Sequence, residues 1–388
     1  MDGVDAVLVD SSKGFAPLAQ HSVPFSQELK RRLLALNSPG ENELHASAMA
    51  ANEISRLYAS AVNTLLDSQS LQAKDIVALG AHGQTVRHQP GRQDAVGYTL
   101  QLLNAALLCE LTGIDVAYDF RARDVAALGQ GAPLVPAFHD ALFAKDHAFV
   151  AVLNLGGISN LSWLPPKLLR NEQNTRDLHS SNEPRKVIGF DAGPANVLLD
   201  AWCEEHTGAP YDKDGQWASL GHIHPQLLQS MLSHPYFKLP PPKSTGRDLF
   251  NPAWLQEQLK ACFSANPSDS SPSPQDIQAT LLELTARTCI DALRGQCNGL
   301  EAPESLIVCG GGAHNKVLLQ RLVELCGQDP FMSRTQVQSV EALGYGVHLI
   351  EAMAFAWLAY KRVRLEVANA PSVTGALGPR ILGALAKA

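Results

Sequence analysis

Apolar runs bounded by glycine or aspartate alternate along the chain with segments of helical period. The runs that are nearly continuous in hydrophobic residues predict buried strands, and they cover residues 6–10, 76–83, 115–120, 149–157, 187–193 and 306–312. Apolar residues spaced three and four positions apart predict helices over residues 99–113, 194–206, 316–327 and 349–363. This alternation of strands and helices predicts an α/β protein with largely covered sheets.

The ends of these helices carry local signals. Gly113 and Gly327 stand where a left-handed cap would end the first and third helices, and Pro194 stands at the first position of the second. The last segment, LIEAMAFAWLAYKRV over residues 349–363, is apolar over most of its surface. We therefore expect that helix to be buried.

One stretch of the pattern has an internal echo. FVAVLNLGGISNLSWLP, residues 149–165, is a strand, a Gly-rich turn and a second strand. Its second arm resembles MDGVDAVLVD, residues 1–10, where a small polar turn also precedes an apolar run. If the two halves of the protein are built alike, the opening segment is the second arm of a comparable hairpin, with Met1 inside the turn.

Composition narrows the class of protein. A chain of 388 residues with 45% hydrophobic content is long enough for two domains. A formal net charge of -7 disfavours binding to nucleic acid or to an anionic membrane surface. The seven cysteines are widely spaced and form no C-x-x-C pair, so we expect reduced thiols and a cytoplasmic protein. No apolar run reaches the roughly 20 residues of a membrane helix.

Several kinds of chemistry lack their sequence signatures. The chain contains no H-E-x-x-H motif and no cysteine and histidine cluster with zinc spacing, so we expect no protein-bound structural metal. It also contains no G-x-S-x-G elbow, which disfavours a serine hydrolase.

GFDAGPAN, residues 189–196, places Asp191 at the end of a predicted strand and before a helix. Ligands of open α/β sheets collect at the carboxyl ends of strands, so this carboxylate is a candidate for contact with a substrate. The alternative is an aspartate that forms a turn by bonding to nearby backbone amides. Spacing alone leaves both interpretations open.

Two Gly-rich turns follow predicted strands: LNLGGISN at residues 153–160 and VCGGGAHN at residues 308–315. Glycine lets backbone N–H groups approach an anion, and a helix N-terminus favours negative charge, so both are candidates for nucleotide contact. Neither matches G-x-G-x-x-G or G-x-x-x-x-G-K-[ST]. Each is equally compatible with an ordinary tight turn.

Polar side chains concentrate in three further stretches. AHGQTVRHQP (81–90) and DFRARDVAALGQGAPLVP (119–136) contain candidates for sugar or carboxylate binding, and their alternative is capping or an internal ion pair: His82, Gln84, Arg121, Asp124 and Gln130. PPKSTGRDLF (241–250) has the composition of an anion-binding loop, and its alternative is a solvated basic loop: Lys243, Ser244, Thr245 and Arg247.

Taken together and in order, these motifs resemble those of the anhydro-N-acetylmuramic acid kinase family. The matching segments extend from Met1 to about Pro379, and they include AHGQTV, QGAPL, LNLGGISNL, GFDAGPAN, PYFKLPPPKSTGR, CGGGAHN and EAMAFAWLA. The resemblance implies the two-domain actin-like fold of sugar-kinase ATPases, with a central cleft. It also implies that residues 1–130 and 350–388 form one lobe and that residues 131–349 form the other.

The resemblance implies a reaction as well. The family uses ATP, Mg²⁺ and water to open the 1,6-anhydro ring and to phosphorylate O6, which gives N-acetylmuramic acid 6-phosphate. Carried onto this chain, Asp191 matches the base that takes a proton from the attacking water, and Glu351 is expected to help hold that water. General base catalysis of this kind contributes roughly 10²–10⁴-fold.

Further residues are assigned by the same resemblance. Contacts to the nucleotide are expected from Asp2, Gly3, Asn154, Gly156, Gly157, Gly310, Gly311 and Gly312. Contacts to the amino sugar are expected from Arg121, Gln130, Ser159 and Asn160. At the level of the family, a homodimer is possible.

The sequence departs from the family pattern at identifiable positions. Ala192 and Ala195 stand where the family usually has Thr and Gly, and Leu128 stands where it usually has Gly. Two interpretations of the alanines are open: they only tighten the turn, or they alter a substrate hydrogen bond or a position of positive φ. Family members also carry a strand and a G-T-S phosphate turn before Met-Asp-Gly, so we expect an intact kinase if such a segment precedes Met1 and weak ATP binding if none does. The alternative functions are an inactive sugar- or nucleotide-binding member of the family and an ATP-independent glycoside hydrolase that uses Asp191 and Glu351.

Overall fold

A computed structural model describes residues 3–92, 94–168, 185–263, 272–297 and 301–388. The predicted nucleotide contact Asp2 therefore lies outside the described residues. The chain divides into two compact units: unit 1 consists of Met1–Leu142 and Leu349–Ala388, and unit 2 of Phe143–His348. Both units contain strands and helices, which confirms the α/β prediction.

The strands of unit 1 form three small sheets. They are β1 (Gly3–Asp10), β2 (Ala16–Pro24), β3 (Leu79–Gly80), β4 (Gln84–Pro90), β5 (Gly97–Leu102), β6 (Val116–Tyr118) and β12 (Ala384–Ala386). β1 pairs with β2 and β4 pairs with β5, both antiparallel. In the third sheet, in the order β12-β6-β3, β3 is parallel to β6 and β12 is antiparallel to it.

The helices of unit 1 are α1 (Gln27–Ala35), α2 (Glu43–Ser68), α3 (Ala105–Thr112), α4 (Ala122–Ala126), α5 (Val135–Phe143), α11 (Leu349–Val363) and α12 (Pro371–Thr374). Ser26 caps the N-terminus of α1, because its hydroxyl accepts a hydrogen bond from the Leu29 amide and so satisfies one free donor of the first turn. The apolar face of α1 then packs in a core cluster with Ile54 of α2 and Val4 of β1.

Unit 2 is built on one five-stranded sheet. Its strands are β7 (Val150–Leu155), β8 (Ile158–Leu164), β9 (Ile188–Pro194), β10 (Ser305–Cys309) and β11 (Gln336–Ser339), in the order β11-β10-β7-β8-β9. The first three strands in that order are mutually parallel, and β8 and β9 continue the sheet antiparallel. The helices are α6 (Asn196–Thr207), α7 (Pro225–Leu232), α8 (Pro252–Phe263), α9 (Pro274–Gln296) and α10 (Lys316–Gln328).

The structure corrects three predicted helices and confirms one. The helix predicted over 99–113 is shorter, because residues 97–102 form strand β5 and pair with β4. Only its cap at Gly113 is as expected. Pro194 is not in the helix, because it ends β9 opposite Ile158. α10 continues through Gly327 to Gln328. The buried helix over 349–363 is confirmed in both its bounds and its burial.

A cavity of 430 Å³ in unit 1 is lined by β1 and by residues 75–82, which include β3. Side chains of α2 and α11 complete its walls. Most residues of β1 are only half-buried, although the strand is mostly apolar. Among the helices that the structure describes, none is long and apolar enough to cross a membrane.

Candidate active site

A row of polar side chains crosses the sheet of unit 2. Asn154 of β7 lies opposite Asn160 of β8, and Asn160 lies opposite Asp191 of β9. The Nδ2 atom of Asn154 is 3.5 Å from the Oδ1 atom of Asn160, and Asn160 Nδ2 donates to Asp191 Oδ1. Strand register therefore brings together three residues that the sequence separates by as many as 37 positions, and all three are predicted site residues.

Protein donors hold both oxygens of the Asp191 carboxylate. Asn160 donates to Oδ1, and the Thr245 amide donates to Oδ2 over 2.8 Å. The Tyr236 hydroxyl donates to the backbone carbonyl of Asp191 over 2.7 Å. The carboxylate is therefore fixed in orientation before any ligand binds, which is what a general base needs in order to align one water molecule.

The environment of Asp191 moves its proton affinity in two directions. Burial raises the pKa of the carboxyl above its usual value, while hydrogen bonds from Thr245 and Asn160 and the charge of Lys243 oppose that rise. The net direction is upward. A carboxylate with a raised pKa is a stronger base than an ordinary surface aspartate, and such shifts are typical of catalytic positions.

The segment from Lys243 to Arg247 contacts this carboxylate through its backbone, a role that sequence reasoning missed. The Asp191 amide donates to the Lys243 carbonyl over 3.2 Å, in addition to the bond from Thr245. The sequence carried a hint only in its composition, because small residues such as Ser244 and Thr245 allow close backbone approach. Its prediction as an anion-binding loop stays a prediction.

The glycines of CGGGAHN have different structural reasons. Gly310 has a φ of +79°, and a Cβ built there would lie 2.3 Å from Asn154 Oδ1. A Cβ at Gly312 would lie 2.7 Å from the Leu155 Cβ. Internal packing against the end of β7 therefore requires both glycines, whether or not a nucleotide binds.

Gly156, Gly157 and Gly311 are not required in that way. A Cβ built at these positions would find its nearest neighbour at 3.6, 3.8 and 3.4 Å, respectively. None of the three has a positive φ. Since neither packing nor backbone conformation demands glycine here, close approach of a ligand to the main chain is the remaining physical reason for it.

The turn at Gly156 and Gly157 is fixed by the start of α6. The amides of Ala195 and Val197 donate to the Gly157 carbonyl, and the Asn196 amide donates to the Gly156 carbonyl, over 3.0 to 3.1 Å. Ser159, a predicted sugar contact in the same hairpin, is fully buried and donates to the Gly193 carbonyl over 2.9 Å. Its hydroxyl therefore already serves the β8–β9 pairing in this structure.

In unit 1, Arg121 lies against His82. Arg121 Nε donates to His82 Nε2 over 3.0 Å, and Nη1 donates to the Gly131 carbonyl over 2.9 Å. His82 Nδ1 is 2.9 Å from the Gly83 carbonyl, so the bonds assign the neutral tautomer with its proton on Nδ1. Burial, followed by the charge of Arg121, lowers the pKa of His82 to about 3.

Glu351 lies in the first turn of α11 and is exposed. Burial lowers the pKa of Arg121, and the charge of Glu351 opposes that effect, so the two predicted site residues of unit 1 are electrostatic neighbours.

Gln130 has an exposed side chain, and its amide donates to the Thr374 carbonyl over 2.7 Å. Gly3 begins β1, where a Cβ would lie 2.4 Å from the Val23 carbonyl oxygen.

Asp124 has a structural role, as in the alternative that the sequence left open for its segment. Its carboxylate is fully buried and accepts hydrogen bonds from the Gly131 amide, the Asn369 amide group and the Thr374 hydroxyl, over 2.8 to 2.9 Å. It therefore ties the segment near Gly131 to the C-terminal part of unit 1.

The departures from the family pattern also have visible effects. Leu128 has a φ of +65°, so a leucine adopts the left-handed conformation at the position where a glycine is usual. Ala192 and Ala195 are buried, with 1% and 0% of their surface exposed. A longer side chain at either alanine would need space from its neighbours.

No group of three or more histidine, cysteine, aspartate or glutamate side chains in the described ranges could hold a metal ion. Both oxygens of Asp191 are already engaged by protein donors. The residues present therefore fit a Mg²⁺ ion only if nucleotide phosphates and water supply most of its ligands.

Comparison with known proteins gives a consistent result. The family model for anhydro-N-acetylmuramic acid kinase matches residues 1–388. The anhydro-N-acetylmuramic acid kinase of Variovorax paradoxus (strain S110) is 50% identical over 387 residues, which cover 99% of this chain and 96% of that relative. The enzyme of Ralstonia nicotianae (strain ATCC BAA-1114 / GMI1000) is 48% identical over 390 residues, with 99% and 94% covered.

Among solved structures, a ROK family glucokinase from Streptomyces griseus, in complex with glucose and AMPPNP, is similar with a TM-score of 0.34 and 13% identity. The similarity covers 93% of this chain and 96% of that one.

Proposed function

We propose the function of this chain from the premise that it belongs to the anhydro-N-acetylmuramic acid kinase family. It is an ATP-dependent kinase that hydrolytically opens 1,6-anhydro-N-acetylmuramic acid and phosphorylates O6, with N-acetylmuramic acid 6-phosphate and ADP as products. The observation that carries the assignment is the identity of about half of all positions over nearly the full length of relatives with this activity. An inactive binding protein is not favoured at that level of identity.

The geometry supports a role for Asp191 as the base. Its carboxylate takes one proton from a water molecule, and that water attacks the anomeric carbon of the sugar. The bond between the anomeric carbon and O6 then breaks, and its electron pair stays on O6, which attacks the γ-phosphorus of ATP while ADP leaves. Because Asn160 and Thr245 hold the carboxylate, its orientation towards the proton that it accepts is set before the water binds.

The remaining residues position the reactants. The open main chain at Gly156, Gly157 and Gly311 is available to nucleotide phosphates, with Mg²⁺ arriving on those phosphates. Bound Mg²⁺ would neutralise charge during phosphoryl transfer. By the family resemblance, Arg121 is the partner for the carboxylate of the sugar and Glu351 assists the water. A cytoplasmic location and a homodimer remain predictions.

The test compares ADP formation by the unaltered chain and by Asp191→Asn, with 1,6-anhydro-N-acetylmuramic acid and ATP·Mg²⁺. We expect the variant to lose roughly 10²–10⁴-fold in turnover, because the amide cannot accept the proton. Asp146→Asn, on an exposed aspartate of unit 2, is the matched control and should keep full activity.

Three outcomes would contradict this proposal. Equal turnover by the Asp191→Asn variant would remove the base role. Opening of the anhydro ring without ATP, to give unphosphorylated N-acetylmuramic acid, would instead support a glycoside hydrolase. Calorimetric binding of the sugar with no turnover at any ATP concentration would instead support a binding protein.

A further inference from the structure

Lys243 is the charged residue whose contacts are the least explained by the proposed chemistry. Its side chain is half-buried, and its Nζ donates to the carbonyls of Tyr236 and Phe237 over 3.3 and 3.4 Å. The same nitrogen lies 4.8 Å from the centre of the Tyr236 ring and 5.7 Å from that of Phe190. A lysine held by two carbonyls and two ring faces has a defined position, unlike a solvated surface lysine.

These contacts close a ring of interactions around Asp191. The Tyr236 hydroxyl donates to the Asp191 carbonyl, and the Asp191 amide donates to the Lys243 carbonyl. The Lys243 ammonium then returns to Tyr236 through its carbonyl and its ring. Two residues beyond Lys243, the Thr245 amide donates to the carboxylate itself. The position of Lys243 therefore determines the position of a donor on the proposed base.

The charge of Lys243 acts on the same carboxylate. The titratable groups described around Asp191 are Lys243 and Tyr236. Burial raises the pKa of the Tyr236 hydroxyl well above its usual value, so this group stays neutral at working pH. Hydrogen bonds from Thr245 and Asn160 oppose the effect of burial on Asp191, and the positive charge of Lys243 opposes it further. Burial also lowers the pKa of Lys243, and the charge of Asp191 opposes that shift in turn.

We propose that Lys243 is a positioning residue for Asp191, which holds the segment that donates to the carboxylate and keeps that carboxylate ionised so that it can accept a proton. This inference rests on the proposed role of Asp191 as the base. It assigns Lys243 no contact with the substrate. It also gives the Pro-rich segment 240–247 a function, which is to keep Asp191 in the charged form that a base needs.

The test is the pH dependence of kcat/KM for Lys243→Gln, with Lys243→Met as a second neutral variant in case the first does not fold. Removal of the cation should make Asp191 easier to protonate, so the acid limb of the profile should move upward by about one pH unit. Activity should therefore fall about tenfold further than in the unaltered chain on the acid side, and it should return to within about threefold at high pH.

Two further variants separate charge from structure. Lys243→Arg keeps the cation and should keep the acid limb in place, although the planar guanidinium cannot reproduce both carbonyl bonds and turnover should fall. Lys238→Gln removes an exposed lysine that precedes the segment 240–247 and should leave the profile unchanged. A purely structural lysine would lower activity equally at every pH.

A titration that needs no turnover separates this inference from the proposed function. The ¹³C signal of the Asp191 carboxyl, identified by its absence in Asp191→Asn, should titrate at higher pH in Lys243→Gln than in the unaltered chain. An unchanged titration and an unmoved acid limb would overturn the role of Lys243 alone. Absence of ADP formation by the unaltered chain would overturn the proposed kinase, and the NMR comparison would still decide the present inference.

Discussion

The central strand of unit 2 and the first strand of unit 1 have similar sequences and opposite surroundings. β7 lies between β8 and β10, and Val152 at its centre is fully buried. β1 pairs with β2 alone among the described strands, and Val7 at its centre is half-buried and lines the cavity. A run of apolar residues is therefore covered on both edges in one unit and on one edge in the other.

Backbone conformations that side chains disfavour concentrate in unit 1. Unit 2 places one described non-glycine residue, Asp214, at a positive φ, whereas unit 1 places Phe15, Asn42, Ser70, Asp119, Leu128 and Leu365 there. Unit 1 also contains His82 and His139, whose pKa values are strongly lowered. The conformations that residues prefer locally and those that packing imposes therefore agree more closely in unit 2 than in unit 1. Unit 2 also holds Asp191, whose carboxylate is fixed by two hydrogen bonds.

The largest expected effect of a single change comes from a charge placed at the centre of each strand. Val152→Asp should destabilise unit 2 by about 5 kcal/mol, because it buries a carboxylate with no partner inside the sheet. Val7→Asp should destabilise unit 1 by less than about 2 kcal/mol, because the cavity beside β1 admits water to the new charge. Hydrogen exchange resolved by peptide measures each unit separately, which a single unfolding curve would not.

Equal loss of protection in the two variants would show that the cavity beside β1 does not admit water. Val152→Ala and Val7→Ala are the matched controls, since they shorten the same side chains without adding charge. They should differ in the same direction, with the larger loss at Val152.

Mild acid should also affect the two units differently, through buried titratable groups. Burial lowers the pKa of His139 to about 3, and His82 has the same value. The pKa of each histidine is lower in the folded chain than in the unfolded chain, where it is near 6.5. The contribution of each neutral histidine to the stability of unit 1 is therefore present above pH 6.5 and is lost as the pH falls towards 3. At pH 5 each histidine should remove about 2 kcal/mol from unit 1, or about 4 kcal/mol together.

Unit 2 should respond in the opposite sense through Asp200. Burial raises the pKa of this carboxyl to about 6, so its contribution is present at low pH and is lost as the pH rises through 6. Between pH 7 and pH 5, unit 2 should gain about 1 kcal/mol from this group. Exchange at both pH values measures the difference, and His82→Gln should halve the loss in unit 1. A parallel loss in the two units would contradict this account.

The comparison also explains what the sequence could predict. The bounds of α11 followed from its apolar periodicity, because nothing in its surroundings competes with that pattern. β5 was predicted as part of a helix, because residues 99–102 fit either period and only pairing with β4 decides between them. Local patterns were sufficient where an element's own preference and its packing agree.

The candidate site divides in the same way. Asp191 was located by its position at a strand end, and Asn160 only by family resemblance, but nothing in the chain between them predicts that they are cross-strand neighbours. The bond from the Thr245 amide joins positions 54 residues apart and depends on backbone geometry. Sequence treated the glycines alike, whereas packing assigns Gly310 to internal contact and leaves Gly156 open to a ligand.

The smallest expected effect tests whether unit 1 carries strain that can be removed. Leu128 is 45% exposed and has a φ of +65°, a conformation that disfavours a side chain by about 1 kcal/mol or more. Leu128→Gly should therefore stabilise unit 1 by about 0.5 kcal/mol, after the greater freedom of glycine in the unfolded chain is subtracted. Leu220→Gly, at an exposed leucine in a short helix of unit 2, should destabilise by about 1 kcal/mol. Thermal melting of both variants measures the two shifts, and their opposite signs are the essential result, because a loss at both positions would mean that the left-handed leucine is not strained.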